Sequence, residues 1–427
     1  MHKFLSMLFL ASCLVGCSGS GEPNKKEKNV TSSDLIAEAK AIHTKALTLD
    51  AHADIEIPGR PSSYVGSDGL SKVEPSKMQA GGLDAVVMAV AVGPMPRNED
   101  GYAAAKALAQ TKLKAVRALV EDKANNSVIA LSADQLIEAE HQGKSSLILG
   151  FQNALILGRE IDGIDALYNS GVRVFALTHM GHNDFADSSR TLFDGKTNTR
   201  EPDAEHGGLS SLGKEAVKRI NTLGGVMDIT QLSSQAALQA IKLSTSPVIA
   251  SHSNVRALTN VSRNLSNKEI EQIGLAGGVI HVAPFSGYLF DSADPNMDRA
   301  IRSIRKESGI DEDYLYPFEL YWEIEDSSVK KDFITRISKQ LGPISLNEML
   351  DHIDYIAKRI GIDHVGIGTD FNHGSGIEGF DDASEALNVT IELLKRGYSE
   401  DDILKIWGGN FIRVWKAAEA KQNRFPH

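Results

Sequence analysis

The chain has little cysteine, no excess of positive charge and no apolar run long enough to cross a bilayer. Its two cysteines, Cys13 and Cys17, both lie near the N-terminus, which excludes disulfides and thiol chemistry from the remainder of the sequence. The net charge of −11 would repel phosphate backbones, so we expect no nucleic-acid partner. The apolar stretch from Phe4 to Val15 is shorter than the roughly 20 residues of a membrane-spanning helix.

The first residues instead have the pattern of a secretory signal. Met1-His2-Lys3 precedes the apolar stretch, which ends in Leu14-Val15-Gly16-Cys17 and resembles a bacterial lipobox. We expect residues 1–17 to be a lipoprotein signal peptide and lipobox, with Cys17 as the lipidated residue. Cleavage by an ordinary signal peptidase is the alternative. The pattern predicts a protein of the bacterial periplasm or cell envelope that is attached to a membrane, inner or outer, only through its lipid.

The composition after Cys17 indicates a tether followed by one large domain. Residues 18–32 are rich in Gly, Ser, Pro, Lys and Glu, as in a flexible, solvated linker. A hydrophobic content of 42% and a charged content of 24% are typical of a soluble globular protein. Residues 33–420 are long for one ordinary domain, but they suit a barrel of about 250 residues that carries insertions.

Short apolar runs rich in valine and isoleucine recur along the chain, separated by amphipathic stretches of helix length. The runs cover residues 46–49, 85–92, 147–151, 172–177, 226–230, 247–250 and 365–368. This alternation predicts parallel strands that are buried on both faces and connected by helices. We therefore expect an α/β fold, namely a TIM-like (β/α)8 barrel.

Two segments depart from the alternation. Residues 185–208 are polar and turn-rich, which predicts a long loop over the mouth of the barrel. Residues 291–344 are the least regular part and are expected to pack beside the barrel or to cover it. This insertion contains five large aromatic residues, Tyr314, Tyr316, Phe318, Tyr321 and Trp322.

Residues able to bind a metal follow several of the apolar runs. His52-Ala53-Asp54 ends the first run, His179 and His252 follow two later runs, and Asp370 follows the last. Because the carboxyl ends of barrel strands share one rim, these side chains are expected to converge on one pocket. The alternation of side chains along a strand would send His52 and Asp54 to the same side, where they can bind one divalent ion. A packed histidine and a helix-capping aspartate are the ordinary alternatives.

Taken in order, the motifs of this chain resemble those of the membrane (renal) dipeptidases, peptidase family M19 of the amidohydrolase superfamily. They are Leu49-Asp50-Ala51-His52-Ala53-Asp54, Leu177-Thr178-His179, Gly208-Leu209-Ser210, Ser251-His252-Ser253, Arg263-Asn264-Leu265 and Gly368-Thr369-Asp370-Phe371. The similarity extends from about Leu35 to Lys416. It implies a TIM-like barrel of the metal-dependent hydrolase type that uses two zinc ions to hydrolyse dipeptides. The expected partner is a small peptide substrate, and a homodimer is left open.

The resemblance also implies roles for individual residues. His52 and Asp54 would bind the first metal and His252 the second. Asp370 would orient and deprotonate the hydrolytic water at the metal. His179 would contact the substrate and steady its carbonyl oxygen or the tetrahedral intermediate.

The substrate carboxylate is expected to bind Arg263. The planar guanidinium group can donate two parallel hydrogen bonds to a carboxylate, which a lysine cannot match. The resemblance therefore implies substrate contacts from two sides, one at Arg263 and one at His179.

Two positions depart from the family pattern. Where the family carries the glutamate that bridges both metals, this chain has Gln152; where it carries a histidine ligand of the second metal, this chain has Gln231. An amide offers one neutral oxygen, and its NH2 group cannot ligate. The second site is left with His252 alone, which falls short of the three or four protein ligands that zinc usually has.

The altered positions predict at most one tightly bound Zn2+, at His52, Asp54 and Asp370, rather than two, with no metal as the other alternative. Our leading interpretation is a hydrolase of dipeptides or related small amides with an altered, mononuclear metal site. One alternative is a periplasmic enzyme that tailors a peptide natural product. Another is a non-catalytic protein that binds a small peptide through Arg263 and His179.

Overall fold

The computed structural model describes residues 32–194, 197, 199–309, 324 and 326–422. The expected lipobox with Cys17, the tether as far as residue 31 and the aromatic residues Tyr314, Tyr316, Phe318, Tyr321 and Trp322 lie outside these ranges. Within them, every helix is too short or too polar to cross a membrane.

The strands of the described residues are short and rich in β-branched and small apolar residues. They are β1 (Leu49–Asp54), β2 (Ala85–Ala91), β3 (Ser127–Ile129), β4 (Ser145–Gln152), β5 (Val172–Ala176), β6 (Phe193–Asp194), β7 (Thr199–Arg200), β8 (Val226–Asp228), β9 (Ile249–Ala250), β10 (Val279–Val282) and β11 (Val365–Ile367). The main sheet has the order β1-β2-β4-β5-β8-β9-β10-β11, with β3 paired to the start of β4. The hairpin β6–β7 is separate.

Backbone contacts between the two ends of this sheet close it into a barrel. The N–H of Asp54 donates to the carbonyl oxygen of Phe371, and the N–H of Asp370 donates to that of His52, each over 2.8 Å. The strand pairs along the ring are parallel, so their carboxyl ends open at one mouth. The TIM-like (β/α)8 class that the apolar runs predicted is therefore confirmed.

Helices follow the strands and surround the barrel. They are α1 (Ser32–Lys45), α2 (Pro75–Gly81), α3 (Glu99–Glu121), α4 (Ala133–His141), α5 (Asp162–Asn169), α6 (Ser211–Leu223), α7 (Ser234–Leu243), α8 (Asn267–Leu275), α9 (Ser286–Leu289), α10 (Pro295–Glu307), α11 (Ser327–Leu341), α12 (Leu346–Ile360), α13 (Ala386–Lys395), α14 (Glu400–Leu404) and α15 (Asn410–Glu419). Most begin at a Ser, Asp or Asn whose side chain accepts a hydrogen bond from the first turn, as helix caps do. Within the predicted insertion, α10 and α11 pack together on an apolar cluster that they share with residues such as Val261, Ala283 and Phe285.

The C-terminal helix α15 covers the amino ends of the strands. Phe411 and Trp415 of this helix are buried in a cluster with strand residues such as Leu49, Val87 and Ile249. Arg413 on the same helix donates to the carbonyl oxygens of Gly277 and Asp363, which lie two residues before the starts of β10 and β11. One end of the barrel is thus closed by apolar packing, and the polar side chains lie at the other.

Candidate metal centre and active site

Polar side chains gather at the carboxyl ends of the barrel strands. His52 and Asp54 lie on β1, Gln152 ends β4, His179 follows β5, Gln231 follows β8, His252 follows β9 and Asp370 follows β11, and all seven are buried. The pairing of β1 with β2 shifts in register between Asp50 and Ala53. Irregularities of this kind re-aim side chains beside active sites.

His52, His252 and Asp370 converge on one point. One ligand atom of each lies within 4.8 Å of the other two. The imidazole centroids of the two histidines are 3.8 Å apart, and Nε2 of His52 lies 4.0 Å from Oδ1 of Asp370. In the ring of strands, β1 and β9 are separated by β10 and β11, so the two imidazoles meet across the barrel interior. Two nitrogen donors and one carboxylate form a set that zinc accepts.

Two polar atoms of this group are buried without a protein partner. Nε2 of His252 and Oδ2 of Asp370 make no hydrogen bond among the described residues, although burying an unpaired polar atom is costly. Asp370 also has a φ of 58°, in the left-handed region that costs energy for a residue with a side chain. The donor set and its unpaired atoms therefore fit one divalent cation.

A chain of hydrogen bonds fixes the orientation of His252. The hydroxyl of Ser251 donates to Oδ2 of Asp228 over 2.5 Å and lies 2.8 Å from Nδ1 of His252. Because the hydroxyl proton points to the carboxylate, Oγ of Ser251 accepts the Nδ1–H of His252. The lone pair of the ring is then on Nε2, which faces the shared space. Partners of this kind set the tautomer of a ligating histidine.

Asp50 braces the backbone that carries two members of the group. Its carboxylate accepts hydrogen bonds from the N–H and hydroxyl of Thr369 over 2.7 and 2.6 Å and from the N–H of His52 over 3.0 Å. Burial raises the pKa of Asp50 to about 7, although these donors oppose the shift. A Cβ at Gly368 would lie 1.8 Å from the carbonyl oxygen of Ser251, so only glycine allows the segment after β11 to approach this closely.

Asp54 makes a different set of contacts. Its Oδ2 accepts a hydrogen bond from Nδ1 of His373 over 2.7 Å, and its Oδ1 lies 3.8 Å from Nζ of Lys112. Burial opposes ionisation, yet the neighbouring Lys112 and His373 hold the pKa of Asp54 below its usual range. Burial likewise opposes a charge on His373, but Asp54 raises the pKa of that ring. Oδ2 of Asp54 is therefore occupied by His373, whereas its Oδ1 is buried without a hydrogen-bond partner among the described residues.

Burial sets the protonation of the remaining site residues. It raises the pKa of Asp370 to about 6 and lowers that of His52 to about 3. The pKa values of His179 and His252 lie well below the usual value for the same reason. The imidazoles are therefore neutral at neutral pH, which is the form that binds a metal.

Comparison with known proteins identifies the family to which this site belongs. The family model described as membrane dipeptidase (peptidase family M19) matches residues 36–427, which is nearly the whole chain. The chain belongs to the membrane dipeptidase family. The resemblance seen in the sequence motifs is thus confirmed.

Solved structures agree with this membership of the membrane dipeptidase family. The probable dipeptidase PvdM from Pseudomonas aeruginosa is 33% identical, with a TM-score of 0.80 over 92% of this chain and 100% of that chain. A metallo peptidase from Rhodobacter sphaeroides, liganded with a phosphinate mimic of the dipeptide L-Ala-D-Ala, has a TM-score of 0.67 over 87% of this chain and 99% of that chain. At 18% identity, the second likeness supports the barrel fold alone.

Curated relatives match a shorter part of the chain. Dipeptidase aclJ from Aspergillus oryzae is 29% identical over 64% of this chain and 51% of its own length. Dipeptidase tcpJ from Claviceps purpurea is 26% identical over 68% of this chain and 55% of its own length. The match therefore spans only about half the length of these relatives.

The two residues expected to contact substrate border the converging group. Arg263 is buried, donates to the carbonyl oxygen of His252 over 2.7 Å and to Oγ of Ser253 over 3.2 Å, and lies 5.1 Å from the ring centroid of Tyr288. Its Nε makes no hydrogen bond among the described residues. Nδ1 of His179 is likewise buried and unpaired. Both side chains therefore have a donor or acceptor available to a ligand.

The glutamines occupy the strand ends where the dipeptidase pattern has metal ligands. Gln152 pairs in register with Ala91 of β2 and Ala176 of β5. Gln231 has a φ of 66°, and its Oε1 is buried without a partner. The donor set of His52, His252 and Asp370 fits a divalent cation, and the amides at positions 152 and 231 supply neither a bridging carboxylate nor an imidazole.

Sequence reasoning missed His373 and Lys112. His373 was not among the residues that the motifs indicated, yet it is bonded to Asp54, 319 positions away in sequence. One feature of the sequence could have indicated His373. After Asp370 this chain has Phe371-Asn372-His373, where the dipeptidase family pattern has Phe-Asp-Gly. Lys112 had no signal, since it is one of several lysines on the long helix α3.

Proposed function

We propose that this protein is a metal-dependent hydrolase of dipeptides or related small amides that uses a single divalent ion. The observation that carries the proposal is the convergence of donor atoms from His52, His252 and Asp370 within 4.8 Å. The sequence led us to expect a single ion at His52, Asp54 and Asp370, with His252 as a ligand of the second metal. The contacts of Asp54 with His373 and Lys112 favour His252 as the third ligand.

The chain's own residues would supply the remaining chemistry. A zinc ion in this donor set would polarise a carbonyl group and lower the pKa of water from 15.7 toward about 7. The carboxylate of Asp370 would accept a proton from the attacking water through the oxygen that does not bind the ion. His179 would donate to the substrate carbonyl oxygen, and Arg263 would hold the substrate carboxylate. Because α15 covers the amino ends of the strands, water reaches the site from the mouth of the barrel.

Measurement of metal content together with activity tests this proposal. The purified protein, supplied with zinc, cobalt or manganese, should bind about one ion per chain and cleave members of a dipeptide panel that includes D-configured C-terminal residues. Substitution of His252 by Ala should abolish tight binding of the ion. If the protein cleaved no dipeptide of the panel with zinc, with cobalt or with manganese, the proposal would be contradicted.

A non-catalytic binding protein is the second candidate, and the amides at positions 152 and 231 support it. In that case the protein would bind an uncleaved dipeptide without metal through Arg263 and His179. Isothermal titration with a dipeptide in the presence of a chelator distinguishes the two candidates. The hydrolase should lose turnover on chelation, whereas the binding protein should keep its affinity. Tailoring of a peptide natural product stays a prediction.

The location of the protein is a further proposal, supported by the sequence Leu14-Val15-Gly16-Cys17. We infer that Cys17 is lipidated and that the barrel is held at a membrane of the bacterial envelope through residues 18–32. Replacing Cys17 by Ser in the full chain should move the protein from the membrane fraction to the periplasmic fraction. An unchanged membrane fraction would contradict the lipid anchor.

A further inference from the structure

A cavity of about 210 Å3 lies at the mouth of the barrel, between the ends of β1 and β2 and helix α3. Its lining includes Asp54, Arg60, Tyr64, Lys112, His179 and His373. The converging residues His52, His252 and Asp370 do not line it. The cavity is therefore beside the candidate metal centre rather than within it, and it has room for one amino-acid side chain.

Lys112 lines this cavity with an ammonium group that is available to a ligand. Its side chain is 13% exposed, and its charged neighbour, Oδ1 of Asp54, lies 3.8 Å away, beyond hydrogen-bond distance. Oδ1 of Asp54 also has no hydrogen-bond partner among the described residues. An ammonium group carries three donors, and its nearest charged acceptor among the described residues is beyond hydrogen-bond distance, so these donors are open to an acceptor on a ligand.

The position of the cavity relative to Arg263 indicates which part of a dipeptide would enter it. Arg263 is bonded to the residues that follow β9, and β2 lies four strands from β9 in the closed ring of eight. The two sites are thus on opposite sides of the mouth. A dipeptide whose C-terminal carboxylate binds Arg263 would extend its N-terminal residue across the centre toward Lys112.

We propose that this cavity binds an acidic side chain of the N-terminal substrate residue and that Lys112 determines this specificity. The inference rests on the proposed dipeptide substrate. A carboxylate would supply the acceptors that Lys112 lacks, and Arg60 adds a second cation at the cavity. The carboxylate of Glu56, which also lines the cavity, already accepts hydrogen bonds from the N–H and hydroxyl of Ser62 over 2.7 and 2.6 Å.

Paired substrates and paired variants test the role of Lys112. The metal-loaded protein should cleave Glu-Ala with a higher kcat/KM than Gln-Ala, which has the same shape without the charge. Lys112→Met should lower this ratio by about tenfold or more, because it removes a hydrogen bond between two charged groups. Lys112→Arg should keep most of the preference. Lys114→Met, on the exposed face of the same helix, is the matched control and should leave the ratio unchanged.

A binding measurement separates failure of this inference from failure of the proposed hydrolysis. Phosphinate analogues of Glu-Ala and Gln-Ala, which are not cleaved, should bind with the same preference even if the protein lacks turnover. A preference for the Glu analogue that Lys112→Met removes supports the inference whether or not hydrolysis occurs. Equal binding of the two analogues, or a preference that survives Lys112→Met, would overturn it and leave the hydrolase proposal standing.

Discussion

Replacing Ser251 by Ala should weaken metal binding without removing any ligand. The hydroxyl joins Asp228 Oδ2, over 2.5 Å, to Nδ1 of His252, over 2.8 Å. Without it, the ring is free to carry its proton on Nε2, the atom that would bind the ion. Loss of such a partner typically lowers metal affinity by about 10–100-fold, which corresponds to about 1.4–2.7 kcal/mol.

The same change should also destabilise the fold. Oδ2 of the buried Asp228 would lose the hydroxyl donor of Ser251, and an unsatisfied buried acceptor costs about 1–3 kcal/mol. Affinity is measured by titration of cobalt or zinc against a competing chelator, and stability by urea unfolding of the metal-free protein. The two readouts separate a loss of ligand orientation from a general loss of folding.

A matched control is available on the same stretch of chain. Ser246 is buried near the opposite end of β9, where its hydroxyl accepts a long hydrogen bond of 3.3 Å from Asn221. Ser246→Ala should cost some stability and leave the metal affinity unchanged. If Ser251→Ala bound cobalt as tightly as the unchanged protein, the assigned tautomer of His252 would be wrong.

Two further predictions concern stability. Asp50→Ala removes the acceptor of three hydrogen bonds that hold β1 and the segment after β11. It should lower the free energy of unfolding in urea by about 2–4 kcal/mol. A loss under about 1 kcal/mol would contradict this stabilising role of Asp50. Burial lowers the pKa of His281 to about 4 and that of His352 to about 3, so acid should favour the unfolded chain, which takes up protons first. The contribution of these two residues to the free energy of unfolding is fully present above the unfolded pKa of 6.5. It is lost as the pH falls toward their folded-state pKa values, at up to about 1.4 kcal/mol per residue and pH unit.

Substitutions of single histidines provide the control for the pH dependence. His352→Gln keeps an acceptor for the N–H of Val255, to which Nδ1 of His352 is bonded, and it should flatten the slope between about pH 6.5 and about pH 4. His141→Gln should leave the slope unchanged, because that side chain is 66% exposed. Equal slopes for both variants would contradict the assignment of the slope to buried histidines.

The sequence predicted the barrel well because buried parallel strands require continuous apolar runs. The runs before His52, Gln152, His252 and Asp370 all became barrel strands. The strand β10 (Val279–Val282) escaped prediction, since it has four residues, contains His281 and follows two glycines. The register shift in β1 also has no local signature.

The site was predictable as a set of residues but not as a set of contacts. Family motifs named His52, Asp54, His252 and Asp370, and the structure brings three of them together while Asp54 contacts His373 and Lys112. Asn372, which precedes His373, has a φ of 63° and donates from its side chain to the carbonyl oxygen of Asp54 over 2.9 Å. Tertiary packing determines which of these side chains contact one another, and the spacing of residues along the sequence does not predict it.

The metal stoichiometry of the purified, zinc-loaded protein tests the central claim most directly. Elemental analysis should find about one zinc ion per chain, and the double variant Gln152→Glu, Gln231→His should bind a second ion by restoring a bridging carboxylate and an imidazole. Two tightly bound zinc ions in the unchanged protein, with Gln152 in contact with both, would contradict the claim that neutral amides limit this site to a single cation.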